Sequence, residues 1–194
     1  MFIGSLIKNI LIRISGVFIN SRKSRCIFYH DIHSKVRFTE MSNSVELFIE
    51  HVKTIRNNGF EIVHNITKKE NQISISFDDG WRGIYENIEL INTLRVPITI
   101  FVIPSFLDQE NFLSKKELAE ISKNTYVKIQ SHTLNHFDLT SISVDILKEE
   151  LTNSKNIIES ICGTLVDSVC YPKGLFNSKI VDIANDLGYR YQYS

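Results

Sequence analysis

The sequence is short of cysteine, of net charge and of uninterrupted apolar stretches, and each shortage removes a class of protein. Three cysteines, Cys26, Cys162 and Cys170, form an odd set without C-x-x-C spacing. That argues against a disulfide framework and for free thiols in a reducing compartment, with a Cys162–Cys170 bridge left open. The 22 basic and 22 acidic side chains cancel, and no Lys/Arg cluster is interleaved with aromatics, so no nucleic-acid partner is expected. No repeat, low-complexity tract or Pro/Gly/Ser-rich linker divides the chain. At 194 residues and 43% hydrophobic, it has the material for one globular core.

The most apolar stretch is the N-terminus, and Lys8 and Arg13 interrupt it. It is therefore neither a clean signal-peptide core nor a span of about 20 apolar residues. Phe2, Ile3, Leu6, Ile7, Ile10, Ile14, Val17 and Phe18 fall on one helical face, with Ser5, Asn9, Arg13, Gly16 and Asn20 opposite, the pattern of an amphipathic helix. Two uses fit: a helix covering one end of the core, or a peripheral membrane contact through residues 1–25 reinforced by Arg22, Lys23 and Arg25. The expected division is an amphipathic helix and basic linker over 1–24, then one domain over 25–194.

Along that domain, short β-branched or aromatic runs at Cys26–Tyr29, Ile73–Phe77, Ile98–Ile103, Tyr126–Gln130 and Val166–Tyr171 alternate with helix-period segments. The helices are expected at Val45–Asn58, Ile84–Leu94, Ser114–Lys123, Val144–Ile161 and Ser178–Leu187, with Gly59 and Gly188 as C-caps. Such alternation predicts an α/β fold with a parallel sheet, open or closed into a barrel. In both cases function gathers where the strands end.

Four polar clusters stand at those ends: Tyr29-His30-Asp31, Asp78-Asp79-Gly80, Ser131-His132 with His136, and Tyr171-Pro172-Lys173-Gly174. Adjacent carboxylates repel, and a turn needs only one Asp before Gly, so Asp78 and Asp79 together call for a neutralising charge. His132 and His136, four apart, bring two imidazoles together; with a carboxylate they make a metal site. One Asp can then bind the cation while its neighbour acts as a base beside it.

Ser76-Phe77-Asp78-Asp79-Gly80-Trp81, Ser131-His132-Thr133-Leu134-Asn135-His136 and Tyr171-Pro172-Lys173-Gly174 resemble, in order, the first three motifs of the polysaccharide deacetylase family, the NodB-like carbohydrate esterases. Val96–Val102 is similar to the family's second strand region, and Tyr29-His30-Asp31 resembles the opening of members acting on exported polysaccharides. The resemblance covers roughly Phe28 to the C-terminus. It implies an incomplete or distorted (β/α) barrel and metal-dependent removal of acetyl groups, usually from an N-acetylated amino sugar in a carbohydrate substrate. Carried over by position, Asp78 is the general base, and Asp79, His132 and His136 hold a divalent metal, zinc first, with cobalt, nickel and iron also compatible. The Lys173 backbone N–H, beside Tyr171 and Pro172, serves the oxyanion.

Two departures accompany the resemblance. Cys170 stands where many relatives carry an Arg that orients the base, and the chain stops at Tyr191–Ser194, before the family's last motifs and the His that usually serves as acid. C-terminal strands are therefore expected to be missing, and His30, ending the first strand, is the candidate acid. Trp81 and Arg82 are read as one wall of a sugar groove, against the alternative of a Trp packed over the loop. The Lys148, Glu149, Glu150 run reads as a solvated helix face. A non-catalytic sugar-binding or scaffold protein of the same fold is the competing function, and an amidase for a small non-sugar amide a third. For compartment, the cysteines and the lack of a clean signal favour the cytoplasmic side or the membrane periphery, whereas the Tyr29-His30-Asp31 opening favours the cell envelope.

Overall fold

The computed structural model describes residues 22–194, so the expected helix within residues 1–20 lies outside the described residues. The chain runs β1 (Arg25–Tyr29), β2 (Asp31–His33), β3 (Ser42–Ser44), α1 (Val45–Asn57), β4 (Glu61–Val63), β5 (Gln72–Phe77), α2 (Gly83–Glu86) and α3 (Ile88–Leu94). It continues with β6 (Ile98–Val102), α4 (Lys115–Ile121), β7 (Val127–Ser131), α5 (Val144–Cys162), β8 (Ser168–Cys170), α6 (Ser178–Asp186) and β9 (Tyr191–Tyr193).

Strands β1, β5, β6, β7, β8 and β9 lie side by side in that order, with β4 also paired to β5, and every pairing is parallel. The sheet curls into a half-barrel with helices outside it, the incomplete (β/α) barrel that the resemblance implies. Period-2 alternation explains which face does what. On β5, Ile73, Ile75 and Phe77 are buried in the apolar core, while Ser76 and then Asp78 line a cavity inside the curl. On β1, Cys26, Phe28 and His30 line the same cavity, whereas Ile27 and Tyr29 face His51, Thr54 and Ile55 of α1. Strand β6 is buried along its whole length, as a central parallel strand covered on both faces should be.

Helix starts follow side-chain chemistry. Ser44, Ser143 and Asn177 cap α1, α5 and α6, and Ser114 with Glu117 forms a complete capping box on α4. Gly59 and Gly188, expected as C-caps, have φ of +78° and +85°. The single helix expected over Ile84–Leu94 is two, broken at Asn87, whose Nδ2 donates to the carbonyls of Gly83 (2.8 Å) and Ile32 (3.3 Å); its side chain competes with the helix's own hydrogen bonding. The strands β2, β3 and β4 carry only three residues each, too few for an alternation to register in the sequence. Among the described residues, no helix is long and apolar enough to cross a membrane, and all three cysteines are free thiols, so no Cys162–Cys170 bridge forms.

Candidate metal centre

Parallel pairing brings the polar clusters to one rim. Tyr29 pairs with Phe77 in register, and the Asp78 amide donates to the Tyr29 carbonyl at 2.9 Å, so His30 and the Asp pair leave neighbouring strands together. The next turn is tight. Asp79 and Gly80 have φ of +71° and +83°, and a Cβ on Gly80 would sit 3.2 Å from Val102 Cγ1, so a side chain there is strained by the backbone and crowded against Val102. Reversal at this turn separates the two carboxylates: Asp78 stays buried inside the curl, and Asp79 turns toward the histidines.

His132 continues the ladder past β7, its amide donating to the Val102 carbonyl at 2.8 Å. Its Nδ1 lies 2.8 Å from the Cys170 carbonyl. A carbonyl only accepts, so Nδ1 carries the hydrogen and Nε2 keeps its lone pair. That lone pair faces Asp79 Oδ1 at 3.5 Å, and His136 Nε2 faces the same oxygen at 3.7 Å. The two rings meet edge to face, with centroids 4.9 Å apart. Burial lowers both imidazoles, His132 to about 4 and His136 below its ordinary value, so both are neutral at pH 7.

These contacts therefore lack the proton that would make them ion pairs, and electron-rich atoms point at one another. Ligands about 2.0–2.2 Å from a tetrahedral cation stand roughly 3.3–3.6 Å apart, and the two carboxylate-to-imidazole spacings, 3.5 and 3.7 Å, lie within or close to that range. The donor set of two neutral imidazoles and one carboxylate oxygen, with ligand atoms within 4.8 Å of one another, fits a divalent cation.

Four of the eight non-glycine residues with positive φ among the described residues stand at the site. Asp79, Thr133, His136 and Lys173 are non-glycine residues with φ between +59° and +71°, a region such residues seldom occupy and one that functional sites hold by surrounding contacts. Those contacts are visible around the histidine loop. The Thr133 amide donates to Ser131 Oγ (3.1 Å), and the His136 amide to Thr133 Oγ1 (3.2 Å). Glu150 of α5 accepts from the amides of Leu134 (3.0 Å) and Asn135 (2.8 Å) and from Asn135 Nδ2 (2.6 Å).

Glu150 corrects the expectation of a solvated helix face: it is 2% exposed. The signal lay in the spacing, because position 150 falls on the stripe of Leu147, Leu151, Ser154 and Ile158 that α5 buries. Removing a charged acceptor strands three donors. Glu150→Ala should cost at least about 2 kcal/mol, roughly 4–8 °C in Tm for a chain of this length, and loosen His136; thermal denaturation with and without added zinc checks it.

Trp81 is placed differently from a groove wall. Its ring stacks on Phe112 with centroids 4.2 Å apart, and its Nε1–H donates to Asp79 Oδ2 at 3.1 Å. This leaves Oδ1 for the histidine side, as a partner behind a metal ligand should. Arg82, expected to reach sugar hydroxyls, pairs with Glu117 at 3.0 Å. Trp81→Phe keeps the stack and loses the N–H, so zinc affinity should fall about 10–100-fold, read by calorimetric titration.

His30 belongs to the rim, its Nε2 4.0 Å from Asp79 Oδ2. Asp78 is 7% exposed, its Oδ2 lies 3.9 Å from Cys170 Sγ, and its Oδ1 has no hydrogen-bond partner. Burial, and then the neighbouring Asp79 charge, pushes its carboxyl up to about 7. Tyr171 and Lys173 line the cavity, and Pro172 opens the turn between them without lining it. In that turn the amides of Tyr171, Gly174 and Leu175 are spent on Tyr193, Tyr171 and Pro172 carbonyls, and Pro172 has none to offer. The Lys173 amide is left, among the described residues, without a backbone acceptor. The cavity holds about 590 Å³, and Phe28, Met41, Tyr193 and Ser194 add walls that no motif in the sequence marked.

The family model for polysaccharide deacetylase matches residues 65–192. The chain belongs to the polysaccharide deacetylase family. YxkH of Bacillus subtilis, whose name places it in the same family, is 22% identical over 179 residues, covering 84% of this chain and 61% of its own length. PdaA of the same organism, a peptidoglycan-N-acetylmuramic acid deacetylase, is 26% identical over 125 residues, covering 63% of this chain and 46% of its own length. This polysaccharide deacetylase family chain thus spans about half to three-fifths of those relatives. The structure of the Streptococcus pyogenes deacetylase PplD in complex with acetate shares the fold, with a TM-score of 0.74 at 22% identity, over 86% of this chain and 81% of that one.

Proposed function

We propose that this chain is a metal-dependent hydrolase that removes acetyl groups from an N-acetylated amino sugar of a polysaccharide. The observation that carries this reading is the meeting of Asp79 Oδ1 with two imidazole lone pairs at 3.5 and 3.7 Å, beside a buried carboxylate in a 590 Å³ cavity. Family membership supports it, and PdaA is named for the same kind of reaction on a peptidoglycan sugar.

Asp79, His132 and His136 would hold the cation, zinc first, with cobalt, nickel and iron suited to the same ligands. When bound, a divalent cation supplies Lewis acidity: it polarises the acyl oxygen and acidifies water. The remaining steps belong to the chain. Asp78 accepts the proton of the attacking water, for which a carboxyl raised toward neutrality is well matched. The Lys173 amide donates to the oxyanion as the carbonyl becomes tetrahedral. Acetate departs as the C–N bond breaks, and His30 supplies the proton that the leaving amine needs.

Acetate release across three substrates tests the assignment: N-acetylglucosamine oligomers, an O-acetylated glycan and a small N-acetyl amide. The proposal expects release from the oligomers at least tenfold above the other two. Preference for the small amide would make the chain a general amidase, and sugar binding without release from any of the three would make it a binding protein of the same fold.

A further inference from the structure

Behind the Asp79 triad lies a second convergence of donor atoms. Asp78, His132 and Cys170 bring a carboxylate oxygen, a ring nitrogen and a thiol sulfur within 4.8 Å of one another. Each residue is more than nine-tenths buried, at 7%, 3% and 8% exposed. Asp78 Oδ1 is buried without a hydrogen-bond partner, an arrangement that native interiors seldom leave unexplained. The two groups of ligands differ in one respect that decides their selectivity. The Asp79 triad offers only nitrogen and oxygen, whereas this one includes sulfur, and sulfur ligands favour soft cations.

We propose that Asp78, His132 and Cys170 form a second cation site, selective for soft thiophilic ions such as cadmium, whose occupation shuts down the first. On binding, the Cys170 S–H bond breaks, its proton passes to solvent, and the sulfur donates an electron pair to the cation, with no change of oxidation state. His132 belongs to both groups, so a cation drawn to Asp78 and Cys170 competes with one held by Asp79 and His136. A cation on one oxygen of Asp78 stabilises the charged carboxylate and so makes it a weaker base. Weakening of the base and loss of a ligand then coincide, and thiophilic ions in excess inhibit.

The inference rests on the reading of Asp78 and His132 given above for its inhibitory consequence, but its binding step has a signature of its own. Cadmium is titrated into the full chain while the ultraviolet thiolate-to-cadmium charge-transfer band is read. The comparison set is wild type, Cys170→Ser, Cys170→Ala, the Cys26→Ser/Cys162→Ser double variant and His136→Ala. The expected band saturates at one equivalent in wild type, in the double variant and in His136→Ala, and is lost in both Cys170 variants, with circular dichroism confirming that they fold. Cadmium should also inhibit the zinc-loaded wild type at least tenfold more potently than Cys170→Ser, each scaled to its own cadmium-free rate. A missing band in wild type, a band of equal size in Cys170→Ser, or loss of the band in His136→Ala overturns the site. A band with the expected dependence, in a chain that releases no acetate from any substrate, would uphold the site and sink only the proposed reaction.

Discussion

Asp78→Asn should lower kcat for acetate release by about 10²–10⁴, the usual contribution of a positioned general base, while zinc still binds one to one. The substitution keeps the volume and the neighbourhood of Cys170 but removes the basic lone pair from a residue that is 7% exposed. The pH dependence follows from the same burial. A base works deprotonated, and the carboxyl is pushed up to about 7 by burial and then by Asp79, so wild-type rates should climb as pH rises toward neutrality. A cation at Asp79 favours the charged carboxylate and draws that rise to lower pH. The residual rate of Asp78→Asn should lack this rise. Wild-type rates in the variant would remove Asp78 from the role of base.

His132→Ala should lose both properties together. It takes away one of the three converging ligand atoms and leaves the Cys170 carbonyl, now satisfied at 2.8 Å, without its donor. Zinc affinity should fall by more than about 100-fold, beyond the 10–100-fold expected for a partner behind a ligand such as Trp81, and acetate release should drop to background. Equilibrium dialysis with metal analysis gives the first quantity and an acetate assay the second. Zinc affinity within tenfold of wild type would exclude His132 as a ligand and dismantle the triad.

The contrast between these two variants tracks what the sequence could and could not express. Local spacing made Asp78, Asp79, His132 and His136 legible, because the first three follow directly on runs of strand-forming residues in an alternating chain and His136 stands four residues after His132, and the half-barrel places those strand ends on one rim. The supporting contacts were illegible for two physical reasons. Glu150 lies in a charged run, and its role depends on a loop 15 and 16 residues away closing over α5, so only the phase of the helix distinguishes it from its neighbours. Trp81 sits beside the Asp pair in sequence, yet its direction is fixed by stacking on Phe112, a partner that only the folded turn supplies. Residues with a tertiary acceptor or a packed face are invisible to spacing, and short strands such as β2 and β3 are held by neighbours rather than by their own pattern.

The most direct test of the account is acetate release from N-acetylglucosamine oligomers by the purified chain after chelation and again after zinc is restored, with His132→Ala run in parallel. The account predicts no release after chelation, release on restoring zinc, and none from His132→Ala under either condition. Release that survives chelation, or that His132→Ala matches, would contradict a deacetylase centred on Asp79, His132 and His136.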